Sequence, residues 1–296
     1  MRFIKMHGLG NDYVYVNGFV EAGVEGLDLP ALARAISDRH RGVGSDGLIV
    51  ALPPTAAGVA GGAVARMRMF NVDGSEGDMC GNGLRCLVKL VFDEGVCRER
   101  AMKIETGNGV LDVEVEVGPD GKATRVKVDM APPRFRAEEV PIDPRKLERV
   151  DEVTWKFPAT EAAGVAGVEF VGVNTGNPHA VVFVADERAL EAVDVAGLGR
   201  VLEFHPAFPR RANVHWAAVC GGGRVVVRHW ERGSGVTQAC GTGATAVVVA
   251  GVAKGLLDGE VTAVLPGGEL GISWEGAGRS AWMTGEAVEV FRGVWG

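Results

Sequence analysis

The residues best suited to acid–base chemistry are two cysteines, each followed at once by Gly-x-Gly: Cys80-Gly81-Asn82-Gly83 and Cys240-Gly241-Thr242-Gly243. A helix-like run follows each, residues 84–94 and 244–254, and stops at Gly95 or Gly255, at the same distance from its cysteine. A cysteine so placed faces the free N–H groups and positive dipole end of a helix, which favour an anion and lower a thiol pKa. A free cysteine is often only a small buried hydrophobe, and glycines at a helix start can serve a turn alone. The same device twice, in matched context, favours chemistry. Inverting a stereocentre by removing and returning a proton needs a base on one face of a carbon and an acid on the other. Cysteine, with an ordinary pKa of about 8.5, suits both roles. Two such thiols on one carbon would titrate jointly and share one proton.

Positioning two cysteines alike requires two copies of one architecture, and the halves do repeat. Residues 64–70 read as a strand, alternating Met67 and Met69 with Arg66 and Arg68, and lead through a polar loop, 71–79, to Cys80. Residues 224–230 lead likewise through loop 231–239 to Cys240. After each helix come a strand (102–106; 261–265), a glycine turn and a second strand. Upstream, Gly10-Asn11-Asp12-Tyr13 and Gly176-Asn177-Pro178-His179 each open an apolar strand. The unit far exceeds the roughly 20 to 50 residues of a solenoid repeat, so a duplicated domain is expected, with a boundary near Met130-Ala131-Pro132-Pro133. A pseudo-twofold would then bring the two cysteines to face each other across a cleft. The Ala/Gly-rich segment 53–62 reads as a surface loop.

Composition narrows the function. The chain has 296 residues, enough for one large or two medium domains, and 31 Lys+Arg against 38 Asp+Glu leave a net charge of -7. That balance argues against a nucleic-acid backbone binder. The longest nearly apolar stretch, 239–253, is broken by Thr and Gly and falls short of the roughly 20 residues a bilayer span needs, so no membrane partner is expected. The opening residues lack the apolar segment of a signal peptide, so a cytoplasmic location is expected. Five cysteines, with no Cys-x-x-Cys pair, suggest neither a disulfide scaffold nor a metal site. Cys86, Cys97 and Cys220 lack the helix-start context and read as packing residues.

Seven segments in order carry a family resemblance across the whole chain. They are Lys5-Met6-His7-Gly8-Leu9-Gly10-Asn11-Asp12; Asp38-Arg39-His40-Arg41-Gly42-Val43-Gly44; Phe70-Asn71-Val72-Asp73-Gly74-Ser75-Glu76 and the Cys80 motif; Gly176-Asn177-Pro178-His179; and Trp230-Glu231-Arg232-Gly233 with the Cys240 motif. Together they resemble the successive motifs of the diaminopimelate epimerase family. The resemblance implies a cofactor-independent, two-base isomerase that interconverts LL- and meso-2,6-diaminopimelate in lysine biosynthesis. It implies a mixed α/β (α+β) fold of two pseudo-symmetric domains, each a mixed curled sheet around a central helix. The expected division is 1–129 with 285–296, and 130–284. The family's catalytic cysteines match Cys80 and Cys240, with His179 and Glu231 assisting at the reacting centre. Its substrate-binding positions match Asn11, Asn71, Asn177, Asn213, Glu231 and Arg232, and the backbone amides of Gly81, Asn82, Gly241 and Thr242. The partner implied is a small molecule; no cofactor or metal is implied, and a homodimer is left open.

Other readings compete. Gly241-Thr242-Gly243-Ala244-Thr245-Ala246 fits the dinucleotide pattern G-x-G-x-x-A, but a long polar loop separates it from the preceding strand. Another amino-acid racemase on the same scaffold would use the same cysteines. A redox-regulated anion-binding protein would use the helix starts as a cradle and the thiols as a reversible disulfide. Singly, Glu231 and Arg232 would be a solvated strand-end pair, His179 a turn histidine and Asn213 a turn residue. Arg39-His40-Arg41 reads better as part of a glycine-rich structural loop than as a phosphate patch.

Overall fold

The computed structural model describes residues 1–161 and 164–296. The chain divides into two compact units, Met1–Asp129 with Thr284–Gly296, and Met130–Met283. In the first unit β1 (Arg2–Gly8) and β2 (Asn11–Asn17) form a tight hairpin. Its turn residues Leu9 and Gly10 both have positive φ, the left-handed geometry a two-residue hairpin turn demands. Leu9 accepts that strain while its side chain is almost wholly buried. The turn sets Asn11 at the head of β2.

A crossover through α1 (Leu29–Ser37) brings β3 (Gly47–Leu52) parallel to β2, pairing Tyr13 with Gly47. A short helix, α2 (Ala56–Ala60), leads to β4 (Ala65–Asn71), antiparallel to β3, and β5 (Glu76–Gly77) folds back on β4. Helix α3 (Gly81–Asp93) then crosses to β6 (Ala101–Thr106), parallel to β4, and the meander β7 (Gly109–Val117), β8 (Ala123–Asp129) follows. The last strand, Val288–Val294, pairs with the other edge of β1.

The second unit opens with β9 (Glu148–Arg149) and β10 (Thr154–Lys156) and then repeats this pattern. Strands β11 (Glu169–Asn174) and β12 (Pro178–Val184) form the hairpin. Helices α4 (Glu187–Glu191) and α5 (Val195–Glu203) cross to β13 (Asn213–Gly221), parallel to β12, pairing His179 with Asn213. Strand β14 (Arg224–Glu231) runs antiparallel to β13, β15 (Gly235–Val236) folds back, and α6 (Gly241–Ala253) crosses to β16 (Glu260–Leu265) and β17 (Gly268–Trp274). The shared pairing order makes Tyr13 and His179 equivalent, and likewise Gly47 and Asn213, Ile49 and His215, and Asn71 and Glu231.

Each sheet buries both faces. Alternation sends Val14, Val16, Leu48 and Val50 into a core with α1, and Ala180, Val182, Val214 and Trp216 into the outer core of the second unit. The opposite faces meet α3 and α6, whose residues Gly81–Phe92 and Gly243–Gly251 are buried. A helix apolar all round belongs inside a core. The β-branched run Val247-Val248-Val249 costs at most about 0.7 kcal/mol per residue in helix propensity, whereas burying each side chain contributes about 1.5–3 kcal/mol, so burial wins. In α3 the buried charges are met. Lys89 Nζ lies 2.7 Å from Asp93 Oδ2, and Arg85 donates to Asn82 Oδ1 at 2.9 Å and to the carbonyl of Glu286 at 3.1 Å.

Both central helices start at Gly81 and Gly241, three residues before the apolar runs that announce them. The glycines are there for close approach. A Cβ on Gly83 would sit 2.5 Å from Ile49 Cδ1, and one on Gly243 would sit 2.2 Å from His215 Cε1. The polar loops before the cysteines also carry the short strands β5 and β15, and segment 53–62 holds α2, capped by Thr55, where a plain loop is expected. Cys86 is packed, but Cys97 is only half-buried and Cys220 is exposed, its thiol 3.2 Å from Glu187 Oε1. Cys220 therefore departs from the packing role expected of it, because it lies near the end of β13 at the register shift between Val219 and Gly221.

Gly243→Ala sets a favourable helix-propensity change of about 1 kcal/mol against a clash with a ring that packing holds in place. The clash should dominate, destabilising the protein by about 1–3 kcal/mol in denaturant unfolding. Unchanged or higher stability would show that His215 does not pack beneath the helix start.

Candidate active site

Cys80 is the N-cap of α3, and its Sγ accepts from the Gly83 N–H at 3.5 Å. The thiol donates to Asn11 Oδ1 at 3.3 Å. Asn11 in turn donates through Nδ2 to Asp46 Oδ2 at 2.7 Å, and the Asp12 N–H reaches the same oxygen at 3.1 Å. Arg39 bridges Asp12 and Asp46 at 2.8 and 2.9 Å, and Lys5 pairs with Asp12. Asp12 is held below its ordinary pKa by Arg39 and Lys5, against a burial penalty that acts the other way. Arg39 is thus a structural clamp. The buried Tyr13 hydroxyl lies against Cys80 and Asn11, with its pKa pushed far up by burial first and then by Cys80 and Asp46, against the opposing hydrogen bond of Asn11. Asn71, at the end of β4, donates to Ser75 Oγ at 2.9 Å within the turn closed by Gly74. Asn82 is buried in the first turn of α3.

Cys240 caps α6 in the same way, accepting from the Gly243 N–H at 3.3 Å, with Thr242 Oγ1 3.6 Å away. Here the electrostatics differ from the sequence expectation. Burial first, then the neighbouring Glu231 carboxylate, push the Cys240 thiol well above its ordinary value, outweighing the helix terminus. Burial also raises Glu231, which accepts from the Thr237 hydroxyl and interacts with Cys240. A proton near this pair is therefore held by two groups that both resist ionising. Asn213 is engaged at both ends of its amide, donating to the Pro178 carbonyl at 3.0 Å and accepting from the Arg232 N–H at 2.9 Å. The Arg232 side chain is exposed and donates to the Arg210 carbonyl at 3.0 Å. Thr175 Oγ1 donates to the Thr242 carbonyl at 3.0 Å, tying the Asn177 turn to the helix start.

His179 is wholly buried, with Nε2 2.6 Å from Asn177 Oδ1 and Nδ1 2.8 Å from His215 Nε2. The His229 ring stands 6.0 Å from that of His215. Burial lowers all three: His179 to about 3, aided by Arg232; His229 to about 4; and His215 well below its ordinary value. All three are neutral near pH 7.

The first unit therefore brings Asn11 to Cys80, and the second brings Glu231 and Thr242 to Cys240 and Asn177 to His179. Sequence reasoning missed Tyr13, Asp46, Thr237, His215 and His229. Tyr13 was within reach, since it occupies in the first Gly-Asn motif the place of His179 in the second. The His215 signal was strand alternation two residues after Asn213. Nothing local marked Asp46 or Thr237. Among the described residues no group of three or more His, Cys, Asp or Glu is arranged to hold a metal ion, and no helix is long and apolar enough to cross a membrane.

The profile of the family described as diaminopimelate epimerase matches residues 3–136 and 171–290. A diaminopimelate epimerase of Desulforudis audaxviator is 44% identical over 295 residues, covering 100% of this chain and 99% of that protein. Another, of Desulfitobacterium hafniense, is 42% identical over 298 residues, covering 99% and 98%. Among solved structures, a phenazine biosynthesis protein of the PhzF family from Bacillus anthracis superposes with a TM-score of 0.68 at 16% identity, covering 99% of this chain and 97% of that one. At that identity the likeness speaks to the fold, a mixed α/β architecture common to both.

The buried histidines set a pH dependence of stability. Their folded pKa values lie below the ordinary 6.5, so the unfolded chain binds more protons between that value and about 3 to 4, and stability falls as pH drops through this window. Each histidine contributes up to about 1.4 kcal/mol per pH unit there. Denaturant unfolding at pH 7, 6 and 5 should show a shallower loss for His229→Phe than for the parent; parallel profiles would mean that His229 is not buried neutral.

Proposed function

The chain belongs to the diaminopimelate epimerase family, and on that premise we propose that it epimerises diaminopimelate at one α-carbon, with Cys80 and Cys240 as the acid–base pair. The observation that carries this reading is the pair of cysteine N-caps, one at the head of each buried central helix, each thiol beside a second polar group, Asn11 or Glu231. One sulfur removes the α-proton as a thiolate and the other returns a proton from its thiol to the opposite face. The roles exchange when the reaction runs backwards.

An α-proton of an amino acid is weakly acidic, so the developing negative charge needs fixed dipoles in a dry setting. The amides of Gly81 and Asn82, and of Gly241 and Thr242, are first-turn N–H groups that the helices themselves do not use, and they suit the α-carboxylate. Glu231 relays the proton of Cys240, since a carboxyl kept protonated more readily than usual makes a better partner for a thiol. A substrate ammonium arriving beside the pair supplies the positive charge that lets the thiolate form. His179, neutral and wholly buried, fixes the Asn177 amide through Nε2 and so acts on the reacting end through Asn177. Asn71 and Asn177 read the polar groups of the substrate. Arg232 takes the remote carboxylate, and Asn213 serves it by holding its backbone.

The test is incubation in D2O with LL-diaminopimelate and, separately, with amino acids bearing a single carboxylate, following α-deuterium and configuration together. Exchange with inversion confined to diaminopimelate is expected; inversion of a single-headed amino acid instead would move the substrate assignment, and no exchange at all would sink it. Arg232→Gln should lower kcat/KM on diaminopimelate by about 10- to 100-fold, the loss of one charged hydrogen-bonded contact.

A further inference from the structure

The contacts of the Cys80 sulfur include both donors and an acceptor. The Gly83 N–H donates to Sγ, and the Tyr13 hydroxyl lies against it. The acceptor is Asn11 Oδ1 at 3.3 Å. An amide presents either a carbonyl or an NH2 group, and only its other contacts decide which end points where. For Asn11 the other contacts are the Tyr13 hydroxyl, which both donates and accepts and so leaves the choice open, and Asp46 Oδ2 at 2.7 Å. A carboxylate only accepts, so it takes the NH2 end and turns the carbonyl toward the sulfur. The carboxylate is itself fixed by Arg39 at 2.9 Å and by the Asp12 N–H at 3.1 Å.

We propose that Asp46 is a positioning residue which, by taking the Nδ2 end of Asn11, keeps an acceptor aimed at Cys80 and so holds that sulfur in its thiol form in the substrate-free protein. Cys80 is then the resting proton donor of the pair. The same lock means that Asn11 offers the site an acceptor only, suited to an ammonium or a thiol and not to a carboxylate. Without Asp46 the amide is free to turn over, and Sγ would then face donors from Gly83, Tyr13 and Asn11, a setting that favours the thiolate. Other titratable groups that interact with Cys80 include Tyr15 on β2 and Arg85 and Cys86 on α3. The inference rests on reading Cys80 as an acid–base residue. Its test reads the thiol without turnover, so a failed activity assignment leaves it standing.

The experiment is the pH profile of iodoacetamide alkylation at Cys80, resolved from the other cysteines by peptide mass spectrometry on the intact chain. In Asp46→Asn the profile should move to lower pH by about one unit, a rate about tenfold higher below the midpoint. Asn11→Ala alone, which removes the acceptor, should also shift it downward. Deleting a negative charge would by itself favour the thiolate, so the decisive comparison is the double variant. In the Asn11→Ala background Asp46→Asn should keep only the smaller shift of the lost charge. An equal shift in both backgrounds would reduce Asp46 to a bare charge effect and overturn the proposal. So would an unmoved profile in Asn11→Ala, even if Asp46→Asn failed to fold.

Discussion

A helix buried on every side cannot hand its first N–H groups to water. In both units this constraint falls on the start of the central helix, where a sulfur takes the third N–H and the first-turn amides remain to be met by other groups. Sulfur is a poor choice for a cap. Serine, threonine, aspartate and asparagine are the preferred residues, and exchanging one for a weak cap typically costs about 1 kcal/mol. Two cysteines in the same weak role, each at the head of the most enclosed helix of its unit, make sense if the thiol is wanted for its proton. The surrounding architecture follows from that placement. Glycines at the helix starts admit Ile49 and His215, and the parallel strand pairs set Tyr13, Gly47, His179 and Asn213 at corresponding strand positions.

The duplicated scaffold is furnished differently in its two copies. Where the first unit has Tyr13, Ile49 and Asn71, the second has His179, His215 and Glu231. Around Cys80 the neutral groups are themselves oriented by charges one step further out, Asp46, Asp12, Arg39 and Lys5. Around Cys240 a carboxyl stands directly beside the sulfur, and burial makes both reluctant to ionise. An epimerase has to treat two faces of one carbon with unlike protonation states in each direction, and one scaffold with two different linings supplies unlike environments without a change of fold.

Much of this was legible in the sequence because a duplication is read by comparing the chain with itself. The strand, polar loop, Cys-Gly-x-Gly and helix order needed no propensity argument, and it located both cysteines and the elements that carry them. The helix starts were misplaced by three residues because glycine reads as loop, whereas here it marks close contact with a neighbouring strand. The direction of the Cys240 shift was also misread. A helix start suggests a lowered thiol pKa, but burial and the adjacent Glu231 are tertiary facts that no spacing reveals. Asp46 lies in the glycine-rich loop read as structural; its contact with Asn11 depends on the chain returning beside β2. Asn213 has the residue type of a substrate reader, yet both ends of its amide bond to backbone.

The central claim is that Cys80 and Cys240 are both proton-transfer groups at one carbon. The most direct measurement is inversion of each diaminopimelate isomer in D2O by Cys80→Ala and by Cys240→Ala, scored by chiral separation, with circular dichroism to establish that each variant is folded. Two-base transfer predicts that each folded variant loses at least about a hundred-fold in inversion rate, since each lacks either its acid or its base. Inversion near the parent rate by either folded variant would contradict the account, leaving that cysteine as a helix cap and nothing more.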